Sequence, residues 1–257
     1  LNREDLAKLP MPDYSNYKFN QYKKKALPIV GSRGCVRKCT FCDYIANWPN
    51  FHWRTADDIF EEMQKQYEKY GIRYFKFQDS LTNGNQKEFY KLTQILGEHN
   101  LSNPDDAFRW NGYYIFREVT PQSEYEWQLV KDSGATSLTV GIENLNEHIR
   151  YNIGKKFSNA SIDFHLEQAQ KHKIQLQLLN IVGYVNETEQ DIDFIKNWLR
   201  THTKYKDDVV IQWGGTLGVF PNTWLAKNFD NLGLEKVGTS PQSWTNPKTG
   251  STPAKRA

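Results

Sequence analysis

Apolar residues in this 257-residue chain gather into six short runs: Ala26 to Val30, Ile72 to Phe77, Phe108 to Ile115, Ser137 to Ile142, Ile174 to Val182 and Val209 to Val219. Each has the length and boundaries of a β-strand. Between them apolar side chains recur at helical spacing, as in Ile59, Met63 and Tyr67, then Ile162, Leu166 and Ala169, then Ile192, Ile195 and Leu199. Strand and helix therefore alternate. Thr55 with Asp58, Thr120 followed by Pro121, Ser158, and Thr188 with Asp191 read as helix starts, because their side chains can accept the unpaired amides of a first turn. Gly71 and Gly134 read as helix ends, where the chain turns left-handed. Such β-then-α units close with right-handed crossovers, which predicts an α/β fold: a partial (β/α)6 TIM-like barrel of parallel strands with outer helices, or the same units as an open doubly wound sheet. In either arrangement the loops leaving the C-terminal ends of the strands form the active face.

Charge changes this picture little. Lys and Arg number 33 against 30 Asp and Glu, a net +3 with no long run of one sign. That balance does not indicate nucleic acid or a membrane surface as a partner. No stretch reaches the roughly 20 apolar residues of a membrane span, and the opening LNREDLAKLP lacks the apolar core of a secretory signal. The expectation is a soluble, cytoplasmic protein. Residues 1–24 read as an N-terminal linker, 25–235 as the core, and 236–257 as a polar tail with no packed element. The first residue, Leu1, together with that tail, suggests a fragment of a longer protein.

The loop after the first strand holds all the cysteines. In GSRGCVRKCTFCDY, Cys35, Cys39 and Cys42 are separated by three and then two residues, and the chain has 3 cysteines in total. An odd number packed this closely makes poor disulfides, since the short loops strain the bridge and one thiol stays unpaired. A shared metal centre explains them better. Structural zinc normally takes four ligands, for which His52 is a candidate, whereas a 4Fe-4S cluster on three thiolates leaves one iron open. The spacing leaves both readings standing: a cluster enzyme, or a zinc-stabilised, non-catalytic binding module.

The C-x3-C-x2-C run, with aromatic Phe41 just before its last cysteine, resembles the signature of the radical S-adenosylmethionine superfamily. The likeness extends from LPMPDYSNY at 9–17 to FPNT at 220–223 and is strongest to the cobalamin-associated branch, in which a cobalamin-binding domain precedes such a linker. No such domain is apparent here. The resemblance implies an enzyme that binds a 4Fe-4S cluster on Cys35, Cys39 and Cys42, and that reductively cleaves S-adenosylmethionine to methionine and a 5′-deoxyadenosyl radical acting on an organic substrate. It leaves open whether cobalamin-dependent methyl transfer follows. An electron donor such as flavodoxin or ferredoxin and a small-molecule substrate or modified biomolecule are the implied partners.

The same resemblance nominates cofactor-binding residues. Gln78, Asp79 and Ser80 in FKFQDS stand where the family holds the amino group of the cofactor, and Asp79 is the leading candidate. Its alternative is to cap the turn SLTNGN. Glu143 in GIEN stands where a carboxylate faces the ribose or methionyl part. Lys155 matches the family's MNKG-like segment. NIVGYVNETEQD resembles the GLPGET turn and keeps Gly183, Glu187 and Thr188, with Val185 and Asn186 in place of proline and the second glycine. Arg117, in GYYIFRE, is the candidate to bind a carboxylate or phosphate of the substrate, with a surface ion pair among the neighbours of Glu118 as the alternative. Trp48, Phe51, His52 and Trp53 either shield the cluster or pack the core. His99, His148, His165, His172 and His202 are given no role, and the glycines of GGTLG at 214–218 are read as letting the last strand approach the cofactor closely.

Overall fold

The computed structural model describes residue 6 and residues 8–256. In chain order its elements are β1 (Leu27–Ile29), β2 (Ser32–Arg33), α1 (Tyr44–Asn47), β3 (His52–Trp53), α2 (Ala56–Tyr70), β4 (Tyr74–Phe77), α3 (Gln86–Ser102), β5 (Arg109–Tyr114), α4 (Ser123–Asp132), β6 (Ala135–Glu143), α5 (Glu147–Ile153), α6 (Asn159–His172), β7 (Gln175–Val182), α7 (Glu189–Thr201), β8 (Val209–Thr216), α8 (Trp224–Lys227), β9 (Glu235–Lys236), β10 (Trp244–Thr245) and α9 (Pro253–Arg256). The six predicted apolar runs supply the six strands of one all-parallel sheet, in the order β1-β4-β5-β6-β7-β8. β1 and β8 remain its edges, so the curl is a partial TIM-like barrel that does not close.

Alternation along the strands decides the two faces. Leu27, Ile29, Phe75, Phe77, Leu138, Val140, Leu176 and Leu178 are buried and share one core with Ile59 and Met63 of α2, Leu92 and Leu96 of α3, and Ile162 and Leu166 of α6. Burying each such side chain stabilises by roughly 1.5–3 kcal/mol. Many of the intervening positions, among them Lys76, Asn111, Thr139 and Gln177, are polar and line the open face. There Asn111 donates through Nδ2 to the Tyr74 hydroxyl at 2.9 Å, Thr139 donates to Gln177 Oε1 at 3.1 Å, and Gln177 bonds Gln212.

Local chemistry sets most helix ends. Thr55 and Asp58 form a capping box on α2, Thr188 and Asp191 form another on α7, and Ser158 Oγ accepts the Ser161 amide of α6 at 3.1 Å. Gly71 ends α2 at φ 64° and Gly134 follows α4 at φ 86°. The expected start of α4 at Thr120 is corrected: the helix begins at Ser123, whose Oγ accepts the Thr120 amide at 3.0 Å, so the Thr120-Pro121 pair lies in the preceding turn.

Both terminal stretches pack. Pro12 accepts from Gln66 of α2 at 3.0 Å and the Tyr14 amide bonds the Tyr70 hydroxyl at 2.7 Å. The expected unpacked polar tail is also corrected. Trp244 is 1% exposed and donates to the Leu217 carbonyl at 3.1 Å, and Arg256 lies 3.6 Å over its ring. A polar composition hid this, because one tryptophan and a stacked guanidinium suffice to anchor the segment.

Candidate functional site

The cysteine loop leaves the C-terminal end of β1. Its neck is the small antiparallel pair β2 and β3, in which Ser32 faces Trp53 and Arg33 faces His52. Gly34, at φ 87°, passes so close to Asn50 that a Cβ there would lie well inside 3.0 Å of its carbonyl oxygen. Only glycine fits. Beyond the neck, the Thr40 amide donates to Ile153 at the end of α5, its carbonyl accepts the Leu225 amide of α8 at 3.1 Å, and its hydroxyl meets that of Tyr184 at 2.8 Å. Gly154, at φ 106°, lets the α5 terminus lie against Lys38 and Cys39. The three thiols are free, Cys39 buried and Cys35 and Cys42 half-buried.

Cys39 belongs to an apolar cluster with Ile149, Ile153, Tyr184, Leu225 and Trp244, against which Phe41 and Cys42 also pack. Burial pushes the Cys39 thiol up to about 11, opposed by the Lys155 ammonium, and burial likewise raises Cys42. Metal binding must therefore displace protons from these thiols. Among the described residues no three His, Cys, Asp or Glu side chains close around one point as a single metal ion requires. Three free thiols on one loop are a donor set that would hold a 4Fe-4S cluster.

Glu143 and Lys155 meet beside this loop. The end of β6 turns through φ 65° at Glu143, which folds the carboxylate back over Gly141, and the Lys155 ammonium pairs with it at 3.2 Å. Both are buried, and the Cys39 and Cys35 side chains are among the groups that act on Lys155. A buried pair of this kind is stable only if each charge keeps its partner.

Alternation separates the three polar residues after β4. Gln78 is exposed and falls on the open face with Lys76, whereas Asp79 is 2% exposed and points with Phe75 and Phe77 toward the helices. Asp79 accepts the Gly31 amide at 3.1 Å, leaves Oδ1 without a partner, and has its pKa raised by burial to about 6. It therefore braces the start of the cysteine loop and does not cap the turn that follows it. Ser80 is half-buried at the same strand end.

Glu187 also acts on backbone. Its carboxylate takes the Gly183 amide at 2.5 Å and the Asn144 carboxamide at 2.6 Å, closing the turn that departs from the GLPGET pattern. Arg117 follows β5 and donates to the Asn83 carbonyl at 2.6 Å. Its own carbonyl bonds His165 Nε2 at 2.9 Å, while His165 Nδ1 accepts from Trp127 at 3.0 Å. That histidine, given no role from sequence, supports the Arg117 backbone. Phe51 stacks on Trp53 with ring centroids 5.8 Å apart and fills the space over Gly84, which is ordinary packing. Gly215 takes φ 91°, a left-handed conformation that L side chains rarely adopt. Sequence reading missed Gly141 and Asn144. Both flank Glu143 in the segment already singled out.

The comparisons with known proteins agree with this geometry. The family model described as the Radical SAM superfamily matches residues 29–199. Bacteriochlorophyllide d C-12(1)-methyltransferase of Chlorobaculum tepidum is 25% identical over 206 residues, covering 76% of this chain and 43% of its own length. Cytidylyl-2-hydroxyethylphosphonate methyltransferase of Streptomyces wedmorensis is 26% identical over 187 residues, covering 63% of this chain and 31% of its own length. Among solved structures, the radical S-adenosylmethionine methyltransferase TsrM of Kitasatospora setae, with cobalamin and a [4Fe-4S] cluster bound, superimposes with a TM-score of 0.66 at 16% identity, covering 90% of this chain and 46% of that one. The chain thus spans less than half the length of these relatives. The cysteine loop at the end of the first strand, the open parallel barrel and a family match over most of the sheet lead to one conclusion: the chain belongs to the radical SAM superfamily.

Proposed function

We propose that this chain is the catalytic core of a radical SAM enzyme in which Cys35, Cys39 and Cys42 hold a 4Fe-4S cluster and the open face binds S-adenosylmethionine and a small-molecule substrate. The observation that carries this reading is the meeting of three free thiols with the buried Glu143–Lys155 pair at the C-terminal rim of an open parallel barrel. When bound, the cluster and S-adenosylmethionine supply one-electron chemistry, reductive cleavage of the sulfonium. The chain positions, shields and balances charge. Phe41, Tyr184, Leu225 and Trp244 wall one side of the cysteine loop with apolar surface and shield Cys39. Glu143 and Lys155 present opposite charges at the rim, suited to the amino and carboxylate ends of a methionyl group. Gln78 adds a neutral donor and acceptor from β4, and Ser80 a hydroxyl.

Methyl transfer, with cobalamin as the carrier, is the reaction favoured by the two curated methyltransferases and by the fold shared with TsrM. Cobalamin would be held by polypeptide outside the described residues, and a low-potential donor such as flavodoxin or ferredoxin would reduce the cluster. No helix among the described residues is long and apolar enough to cross a membrane. The zinc-module alternative has no support from the family match.

The test is anaerobic reconstitution with iron and sulfide, followed by dithionite and S-adenosylmethionine. About four irons per chain and 5′-deoxyadenosine that disappears in Cys35→Ala, Cys39→Ala and Cys42→Ala are expected. Zinc in place of iron, or cleavage that survives loss of a cysteine, overturns the reading.

A further inference from the structure

Glu143 holds a backbone conformation that a glutamate seldom adopts. Its φ is 65°, and the Asn144 amide reaches back to the Ile142 carbonyl at 2.8 Å, so the end of β6 closes in a three-residue turn around it. Such a turn with positive φ at its centre is rare and strained, and it persists only where the surroundings fix it. Here they do. Asn144 is fully buried, its carboxamide donates to Glu187 at 2.6 Å and accepts the Asn146 amide at 2.8 Å, and its carbonyl accepts from Arg150 Nη1 at 2.9 Å.

Arg150 lies on α5 and is 0% exposed. Its Nη1 also reaches the Leu145 carbonyl at 3.3 Å, Nε donates to the Phe157 carbonyl at 3.0 Å, and Nη2 donates to Asn159 Oδ1 at 2.7 Å. The Arg150 carbonyl accepts the Lys155 amide at 3.0 Å. One residue thus fastens the chain just after Glu143 to the chain just after Lys155, and its own backbone holds Lys155 between them. No buried acid answers its charge: Glu147, 3.7 Å away, has a side chain 43% exposed and also accepts the Asn159 amide at 2.6 Å. Burial lowers the Arg150 pKa to about 10, so the group stays charged at neutral pH. Apolar side chains of similar volume often stabilise an interior as well as a buried ion does. A planar fork with donors aimed at two separate segments is what an apolar residue could not supply.

We propose that Arg150 is a positioning residue: by joining the chain at Asn144 and Leu145 to the chain at Phe157 and Asn159, it keeps Glu143 in its strained turn and within reach of Lys155, and so sets the charge pair offered to S-adenosylmethionine. The role toward the cofactor rests on the radical SAM reading, whereas the hold on the pair does not. Arg150 is sealed from solvent, so it acts only through that pair.

The experiment has two arms. In the metal-free chain Lys155 is buried and its neighbour Lys156 exposed, so acetic anhydride labelling of Lys155 relative to Lys156, read by peptide mass spectrometry, reports whether the pair is held. Arg150→Gln is expected to raise this ratio about fivefold or more, with Arg150→Lys giving back part of the protection. Asn159→Ala removes one acceptor and leaves the guanidinium in place; it should move the ratio the same way, and it decides the matter if Arg150→Gln does not fold, with thermal melts of every variant alongside. A general loosening would add to the loss of Glu143, so Arg150→Gln is also made in a Glu143→Gln chain, where no further rise is expected. In the second arm the reconstituted Arg150→Gln chain is titrated with S-adenosylmethionine by calorimetry, and affinity should fall about tenfold or more with iron content unchanged. An unchanged labelling ratio in the folded variants, or a rise that adds in full to that of Glu143→Gln, overturns the proposal. A raised ratio with unchanged affinity overturns the role toward the cofactor. Failure of the unaltered chain to bind S-adenosylmethionine or to make 5′-deoxyadenosine speaks only against the functional reading, since the labelling arm needs neither cluster nor cofactor.

Discussion

Asp79 and Gly141 show how much single positions carry. The Asp79 carboxyl is raised from 3.8 to about 6 by burial, so folding favours its protonated form. Its contribution to stability is full below the ordinary value and is lost as pH rises through about 6. At neutral pH the ionised group costs about 3 kcal/mol at most. Asp79→Asn, which keeps an acceptor for Gly31, is expected to melt higher than the unaltered metal-free chain above pH 6 and to lose that advantage near pH 4. Parallel melting curves across this range would remove Asp79 as a pH-linked residue. At Gly141 a Cβ would lie well inside 3.0 Å of the Glu143 carboxylate and 3.1 Å from the Lys155 ammonium. Gly141→Ala should therefore break the pair and weaken S-adenosylmethionine binding about tenfold or more, with iron content unchanged. Equal affinity would mean that the pair serves only the fold.

Helix starts were the most legible elements, because a cap is a local contact between residues three apart. Thr188 with Asp191 is such a case, and the box forms as the pattern implies. Thr188→Ala should lower stability by about 1 kcal/mol, seen as a shifted melting temperature with cluster content intact. A change below a few tenths of a kcal/mol would mean that packing alone holds α7. The start of α4 was not legible, since Thr120 and Ser123 both offer hydroxyls and the choice between them depends on where Pro121 lets the chain turn. Strand faces were legible only in part. Alternation shows that Gln78 and Asp79 point oppositely, but which side carries the helices is decided by the sheet's neighbours.

At the scale of the whole molecule, the C-terminal segment closes the wall behind the cysteines. Trp244 is fully buried in the cluster that contains Cys39, and Asn246 donates to Val185 at 2.5 Å across 61 residues of chain. Trp244→Ala should cost about 3–5 kcal/mol, and the reconstituted visible absorbance should bleach faster in air. An unchanged bleaching rate would confine Trp244 to a stabilising role. The order of strands and helices, the class of fold, the cysteine loop and the family likeness were all determined by the sequence alone. Each depends on periodicity or on spacing within a few residues, which the chain carries wherever it is placed. Tertiary structure decided what distant segments do to one another. It placed Lys155 against Glu143 and Trp244 behind Cys39, and it turned Asp79 inward. These are contacts between separate loops, set by how the sheet curls, and no local pattern records them.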